Sequence, residues 1–234
     1  MKCDFSYQHY RQMIKAALGA GFIITNLRDY DKNKHKQKLI LLRHDIDYSP
    51  KRAFEIAKIE KSLNVKSTYF IRVHGEHYQP FDKESYPTLL KILKMGHEIG
   101  LHLEARTMSK WLKVDMIDLF YAEKKALEAM FNIKVISASE HADLYRNEQN
   151  FWRNHFFTKV NKRKVRIKNF PQEKRFQKLH YLSDSSRFWR EGCPCKNLTK
   201  FYKFQILTHP DHWGKGAIEE VRKKIRDIGL KPTY

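Results

Sequence analysis

Cysteine is scarce in this sequence: three residues, Cys3, Cys193 and Cys195, in 234. An odd number this small does not make a disulfide framework, so the chain is expected to fold in a reduced compartment. The Cys193-Pro194-Cys195 pair has one spacer residue, fewer than the usual zinc pair, and no second pair accompanies it, so it reads as a loop. Glycine and proline are also few, at 9 and 7, which argues against disorder. No apolar run reaches the roughly 18 residues that a membrane-spanning helix needs. Met1-Lys2-Cys3-Asp4-Phe5-Ser6 contains no apolar signal core, so a cytoplasmic location is expected, with peripheral membrane contact left open. Acidic residues are outnumbered, 26 against 46 Lys and Arg, for a formal net charge of +20. That surplus suits an anionic partner such as nucleic acid, acidic glycan or a membrane surface, and equally a lysine-rich solvated surface. No nucleic-acid-binding motif accompanies the charge, so specific nucleic-acid recognition is not expected. Charge alone would give weak, strongly salt-dependent binding.

What is present is material for a core: 41% hydrophobic and 13% aromatic residues. The length suits one domain over residues 1–234. Tyr10, Met13, Ile14, Ala17 and Leu18 recur at helical spacing before Gly19 and Gly21. Phe22-Ile23-Ile24 has the pattern of a short strand, and Lys32 to Lys38 that of a polar loop. Leu39-Ile40-Leu41-Leu42 is a continuous apolar run, the mark of a strand buried on both faces. Ser49-Pro50 starts a helix. Ser67–Ile71 predicts a strand, Pro87 opens a helix ended by Gly96, and Glu98–Leu101 predicts the next strand. Asp115 caps a helix carrying Leu119, Phe120 and Leu127. Val135–Ser137, Tyr181–Ser183 and Phe204–Leu207 predict further strands, and Ile218, Val221 and Ile225 a last helix. Strands alternating with helices imply parallel strands in an α/β barrel or open sheet. The one irregular stretch, about residues 146–180, is strongly basic from Lys159 to Lys178 and reads as a surface insertion.

The informative feature is the residue type at the end of each strand. Leu39–Leu42 runs into Arg43-His44-Asp45-Ile46-Asp47, Glu98–Leu101 into His102, Val135–Ser137 toward Glu140-His141, Tyr181–Ser183 into Asp184, and Phe204–Leu207 into Thr208-His209. In a parallel architecture these ends share one face, where such folds build their active sites. Asp45 and Asp47, two apart on an extended chain, point the same way. Carboxylates held together repel unless a cation or proton separates them. A divalent metal meets that need, with His102 and other imidazoles as ligands. His97 and His102, five apart on a strand, point to opposite faces, so His97 is not expected to share that metal. Arg43 and Arg190 are candidates to orient Asp45 or bind an acidic sugar, and Trp189 offers a face suited to a saccharide ring.

These residues resemble the motifs of the polysaccharide deacetylases, the NodB-like carbohydrate esterases. Arg43-His44-Asp45-Ile46-Asp47 is similar to the first motif, and Ser67-Thr68-Tyr69-Phe70 to the next strand. Gly96-His97-Glu98-Ile99-Gly100-Leu101-His102 resembles the segment leading into the metal histidine, and Leu207-Thr208-His209-Pro210 the late Leu-x-His motif. Ser183-Asp184-Ser185 with Trp189-Arg190-Glu191 resembles a divergent branch associated with surface-polysaccharide genes. The likeness runs from about Tyr7 to Trp213. It implies a distorted (β/α) barrel with parallel strands, outer helices and fewer than eight regular strands. It implies hydrolysis of an acetyl group from an N-acetyl sugar or oligosaccharide, anionic and lipid-linked forms included. Asp45 would be the general base, His209 the general acid, and Asp47 and His102 ligands of one divalent metal. Zinc is the first choice, with cobalt, manganese or nickel as alternatives. Arg43, Asp184, Trp189 and Arg190 would meet substrate.

One departure stands out. The family's second metal histidine comes four residues after the first, and here that residue is Arg106, which cannot ligate a cation. His141 is the preferred substitute, with Glu104 and Asp184 as alternatives. The departure also motivates a rival reading, a barrel that binds glycan without metal or catalysis.

Overall fold

A computed structural model describes residues 3–141, 167–171 and 173–227, apart from the side chains of residues 105 and 106. Helix α1 (Tyr7–Gly19) starts at Ser6, whose hydroxyl accepts from the His9 amide at 3.0 Å, and buries Tyr10, Met13, Ile14 and Ala17. Strand β1 (Ile23–Thr25) and a short helix α2 (Tyr30–Asn33) lead to β2 (Leu39–Ile46), which is buried along its whole length. Then come α3 (Pro50–Ser62), β3 (Thr68–Ile71), α4 (Ser85–Lys94) and β4 (Glu98–Leu103). They are followed by α5 (Ala105–Leu112), α6 (Met116–Phe131) and β5 (Ala138–Glu140). The described chain resumes into β6 (His180–Ser183) and β7 (Lys203–Thr208), and closes with α7 (Ala217–Asp227).

The strands form one seven-stranded sheet in the order β5-β4-β3-β2-β7-β6, with β1 also on β2. Every pairing is parallel. Among the described residues the sheet does not close between β5 and β6, so the barrel is a curled half-barrel, and the expected distorted (β/α) architecture holds.

Alternation along β2 divides the molecule into two layers. Ile40, Leu42 and Ile46 join Tyr69, Ile71, Ile99, Leu101, Phe204 and Ile206 under α1, α3 and α4 in the large outer core. Leu39 and Leu41 face inward, onto Phe70, Phe176 and Leu179. Gly100 belongs to this inner face, where a Cβ would lie 2.5 Å from the Phe70 ring and 3.0 Å from the Ser137 carbonyl.

Several elements differ from the sequence pattern. The strand expected at Val135–Ser137 lies at Ala138–Glu140, because the preceding residues are used elsewhere. The Val135 amide donates to Glu128 Oε1 at 3.1 Å, and the Ile136 carbonyl accepts from Lys168 and Asn169. Helix α4 begins before Pro87 because Asp82 Oδ1 accepts from the amides of Glu84 and Ser85 at 2.8 and 2.6 Å. The loop expected from Lys32 gives its first residues to α2, and α5 has no counterpart in the sequence pattern. Of the expected basic insertion, residues 146–166 and 172 lie outside the described residues. Its C-terminal part supplies Phe176 and Leu179 to the inner core.

The outer layer holds a buried ionic group at its centre. Glu60 of α3 accepts hydrogen bonds from Tyr10 at 2.6 Å, Ser67 at 2.7 Å and Tyr69 at 2.8 Å. His44 Nε2 lies 2.9 Å from it, and His44 Nδ1 lies 2.6 Å from Thr208 Oγ1. His97 Nδ1 is 3.5 Å from the same carboxylate, so His97 does face away from His102, into the outer layer. Burial pushes the Glu60 carboxyl up, but the imidazoles of His44 and His97 and the donated hydrogen bonds outweigh it and bring it down to about 2. A depressed acid contributes stability that is present above its unfolded pKa and is lost as pH falls toward about 2.

The packing generates two predictions. Glu60→Gln should cost on the order of 3–5 kcal/mol, because it leaves a donor array without its carboxylate. It should also weaken the stability loss on acidification, and urea titrations at neutral and acidic pH measure both effects. Gly100→Ala should destabilise by about 1–3 kcal/mol, since neither the packed Phe70 ring nor the strand backbone can retreat freely.

Candidate metal centre

The parallel order delivers the strand ends to one mouth. Asp45 lies near the end of β2, Asp47 just beyond it, and His102 within β4. His141 directly follows β5 and His209 directly follows β7. Asp47 Oδ1 is 3.3 Å from His102 Nε2 and 3.7 Å from His141 Nε2. The donor atoms of these three residues all lie within 4.8 Å of one another.

Each donor is set up for ligation. His102 Nδ1 faces the Ser139 carbonyl at 3.2 Å, which turns Nε2 toward Asp47. Burial, with Arg72 nearby, brings the His141 imidazole down to about 3 despite Asp47, neutral as a ligand must be. Burial opposes ionisation of Asp47, yet the surrounding imidazoles hold it well below the usual carboxylate range. Asp47 Oδ1 is buried and has no hydrogen-bond donor among the described residues. A buried anionic oxygen between two imidazole nitrogens is what a divalent cation would satisfy, and an Asp/His/His donor set suits zinc.

Two further groups flank this trio. Arg43 is buried and donates to both oxygens of Asp45, at 3.1 and 3.2 Å, and to Ser139 Oγ at 2.6 Å. Asp45 Oδ2 lies 3.7 Å from His102 Nε2. On the other side His209 Nδ1 is 2.6 Å from Asp184 Oδ1, and Asp184 also accepts from the His209 amide and from Trp213 Nε1. Burial pushes His209 down, but Asp184 overrides it and raises the imidazole to about 9. His209 Nε2 points into the centre, 4.0 Å from Asp47 Oδ2.

Arg43 and Asp184, expected to meet substrate, are therefore turned inward onto Asp45 and His209. Trp189 and Arg190 are placed elsewhere. They line a cleft of about 350 Å3 beyond the end of β6, with Tyr181, Phe188 and Glu191, and none of the clustered residues borders it. Glu104, the alternative to His141, pairs with Arg72 and stands 3.8 Å from His141 Nδ1. Sequence pattern did not single out Ser139, which holds both Arg43 and His102. Nor did it single out Asp211, whose Oδ2 accepts from the amides of Asp47 and Tyr48 at 3.1 Å. Burial and the Asp47 charge push the Asp211 carboxyl up to about 6. Its one sequence signal is its place two residues after His209.

No family model and no curated protein matches this chain. Solved structures do match. A mutant of a family 4 carbohydrate esterase pseudoenzyme with restored enzymatic activity aligns with TM-score 0.50 at 18% identity, over 82% of this chain and 63% of that one. The Streptococcus pyogenes deacetylase PplD in complex with acetate aligns with TM-score 0.52 at 12% identity, over 83% of this chain and 85% of that one. A polysaccharide deacetylase from Bacillus cereus aligns with TM-score 0.51 at 12% identity, over 83% of this chain and 90% of that one. The curled parallel half-barrel, with its polar residues gathered at the strand ends, is thus the fold of the polysaccharide deacetylases.

Proposed function

We propose that this chain is a metal-dependent hydrolase that removes the acetyl group from an N-acetylated sugar. The observation that carries this reading is the buried, donor-less Asp47 Oδ1 between the Nε2 atoms of His102 and His141. Asp47, His102 and His141 would hold the ion, zinc by preference, and His141 would take the place that Arg106 cannot fill. The ion would act as a Lewis acid, polarising the amide carbonyl and lowering the pKa of water.

The remaining steps belong to the chain's own residues. Asp45, fixed by Arg43, accepts the proton of the attacking water. His209, kept protonated by Asp184, gives the proton of its Nε2 to the departing amine, which could not leave as an amide anion. Trp189 and Arg190 offer an aromatic face and a cation at the separate cleft beyond β6, suited to a further sugar unit of an oligosaccharide. The net charge of +20 favours an anionic or lipid-linked glycan from surface polysaccharide or glycoconjugate biosynthesis. Among the described residues no helix is long and apolar enough to cross a membrane.

A second reading rests on one observation. Arg106 replaces the expected histidine, and one solved structure of this fold is a pseudoenzyme whose activity had to be restored by mutation. A barrel that binds glycan without catalysis would then retain the Trp189 cleft and have no use for Asp45.

Metal content and acetate release from N-acetylglucosamine oligomers decide between them. The wild type should bind one more ion than Asp47→Ala or His102→Ala and should release acetate. Asp45→Asn should keep that ion and lose about 10²–10⁴-fold in turnover. Equal metal content in all these proteins, with no acetate released, would leave only the glycan-binding reading. A separate prediction concerns His209. Asp184→Asn should bring its imidazole from about 9 toward the ordinary histidine value. The alkaline limb of the pH–rate profile should move to lower pH with it, because the acid then loses its proton sooner. Histidine NMR titration checks the shift, and an unmoved His209 would refute the assigned pairing.

A further inference from the structure

Three cysteines and a histidine that the proposed chemistry does not use meet from opposite ends of the chain. Cys3 precedes α1, and His9 sits in its first turn. Cys193 and Cys195 flank Pro194 at a single helical turn, Pro194–Lys196, in the connection between β6 and β7. Cys3 Sγ lies 3.5 Å from Cys195 Sγ, Cys195 Sγ 3.2 Å from Cys193 Sγ, and Cys193 Sγ 3.2 Å from His9 Nε2. All four donor atoms lie within 4.8 Å of one another. A tetrahedral zinc with Zn–S bonds near 2.3 Å separates its sulfur ligands by about 3.8 Å, which falls inside that range. All three cysteines are free thiols, at separations well beyond the roughly 2.05 Å of a disulfide.

The surroundings hold this geometry. His9 and Cys193 are buried. Asn197 Nδ2 reaches the carbonyls of Glu191, Gly192 and Cys193 at 3.0, 3.2 and 3.2 Å, folding the loop around the two sulfurs. The His9 ring stacks on Trp213, with centroids 6.4 Å apart and planes at 17°. Hydrogen bonding among thiols is weak, so four such groups packed together gain little without a cation. Three sulfurs and one imidazole make a complete donor set with no open position, the pattern of a structural site.

We propose that Cys3, His9, Cys193 and Cys195 bind a zinc ion that fastens the N-terminal segment to the loop between β6 and β7. The site is independent of the Asp47 centre. Its mechanical consequence runs through Trp213, which stacks on His9 and donates to Asp184, the partner of His209. The ion would secure the backing of the proton donor from the outside of the sheet.

The test uses full-length protein purified under reducing conditions and loaded with cobalt in place of zinc. Wild type should show the near-ultraviolet thiolate-to-cobalt absorption that an Asp/His/His site, lacking sulfur, cannot give. Asp47→Ala should keep that band, whereas Cys3→Ser and Cys195→Ser should lose it together with one ion per chain. A measurement without variants guards against misfolding: titrating the thiols of the zinc-loaded wild type with an organomercurial should release one zinc to a chromogenic chelator. Cobalt-loaded wild type without the band, a titration that frees no zinc, or a Cys3–Cys195 disulfide found by mass spectrometry would each overturn the proposal.

Discussion

Strand β2 must bury both faces while carrying polar side chains on each, and the rest of the structure answers to that requirement. Its alternating run Arg43-His44-Asp45-Ile46-Asp47 sends His44 outward and Arg43, Asp45 and Asp47 toward the mouth. An isolated charge in either layer would cost several kcal/mol. The outer layer responds with Glu60, which ties His44 to Tyr10, Ser67 and Tyr69 and so locks α1 and α3 onto the sheet. The inner layer responds with Arg43 on Asp45 and Ser139, linking β2 to β5 across two intervening strands. Asp47 Oδ1 is left without a donor among the described residues, between the imidazoles of His102 and His141, where the proposed cation would sit.

Two imidazoles near one carboxylate are driven to opposite protonation states. His141 is held near 3 by burial, with Arg72 nearby. His209 is held near 9 because Asp184, itself buried and fed by Trp213, stands behind it at 2.6 Å. Separation of this kind assigns chemical roles: a neutral ring can ligate, and a protonated one can donate. The difference comes from neighbours supplied by β3 and β6, not from the histidines' own strands.

This explains how much the sequence disclosed. The parallel fold was legible because buried strands are continuous apolar runs and each ends in an ionisable residue, as at Leu39–Asp47 and Phe204–His209. Asp45, Asp47, His102 and His209 were legible for the same reason, as residues delivered to one mouth. The strand near Val135 was misplaced because Glu128 and the 168–169 backbone claim its hydrogen bonds, and periodicity cannot register such claims. The inward role of Asp184 was equally hidden, and for Arg43 two roles stayed open, since polarity alone does not say whether a charge faces substrate or another charge. Arg106 marks the opposite limit. A motif read by spacing registers a lost ligand there; the place of His141 after a strand favoured it as the substitute, and the three-dimensional register puts it 3.7 Å from Asp47.

The cysteines make the strongest case for that limit. Cys193-Pro194-Cys195 has the wrong spacing for a zinc pair on its own, and Cys3 stands alone at the other end of the chain. Sequence rules for metal sites assume that ligands come in local pairs, because a short loop fixes two donors at little entropic cost. Here helix α1 does that work across the whole chain: Ser6 fixes its start, Tyr10 anchors it to Glu60, and His9 is thereby aimed at Cys193. The same buried carboxylate that holds His44 on the outer face of β2 thus orients the helix that carries one donor of the cluster. A donor set assembled this way depends on the completed fold, so an ion bound there would stabilise the packing of its two chain ends rather than nucleate a local turn.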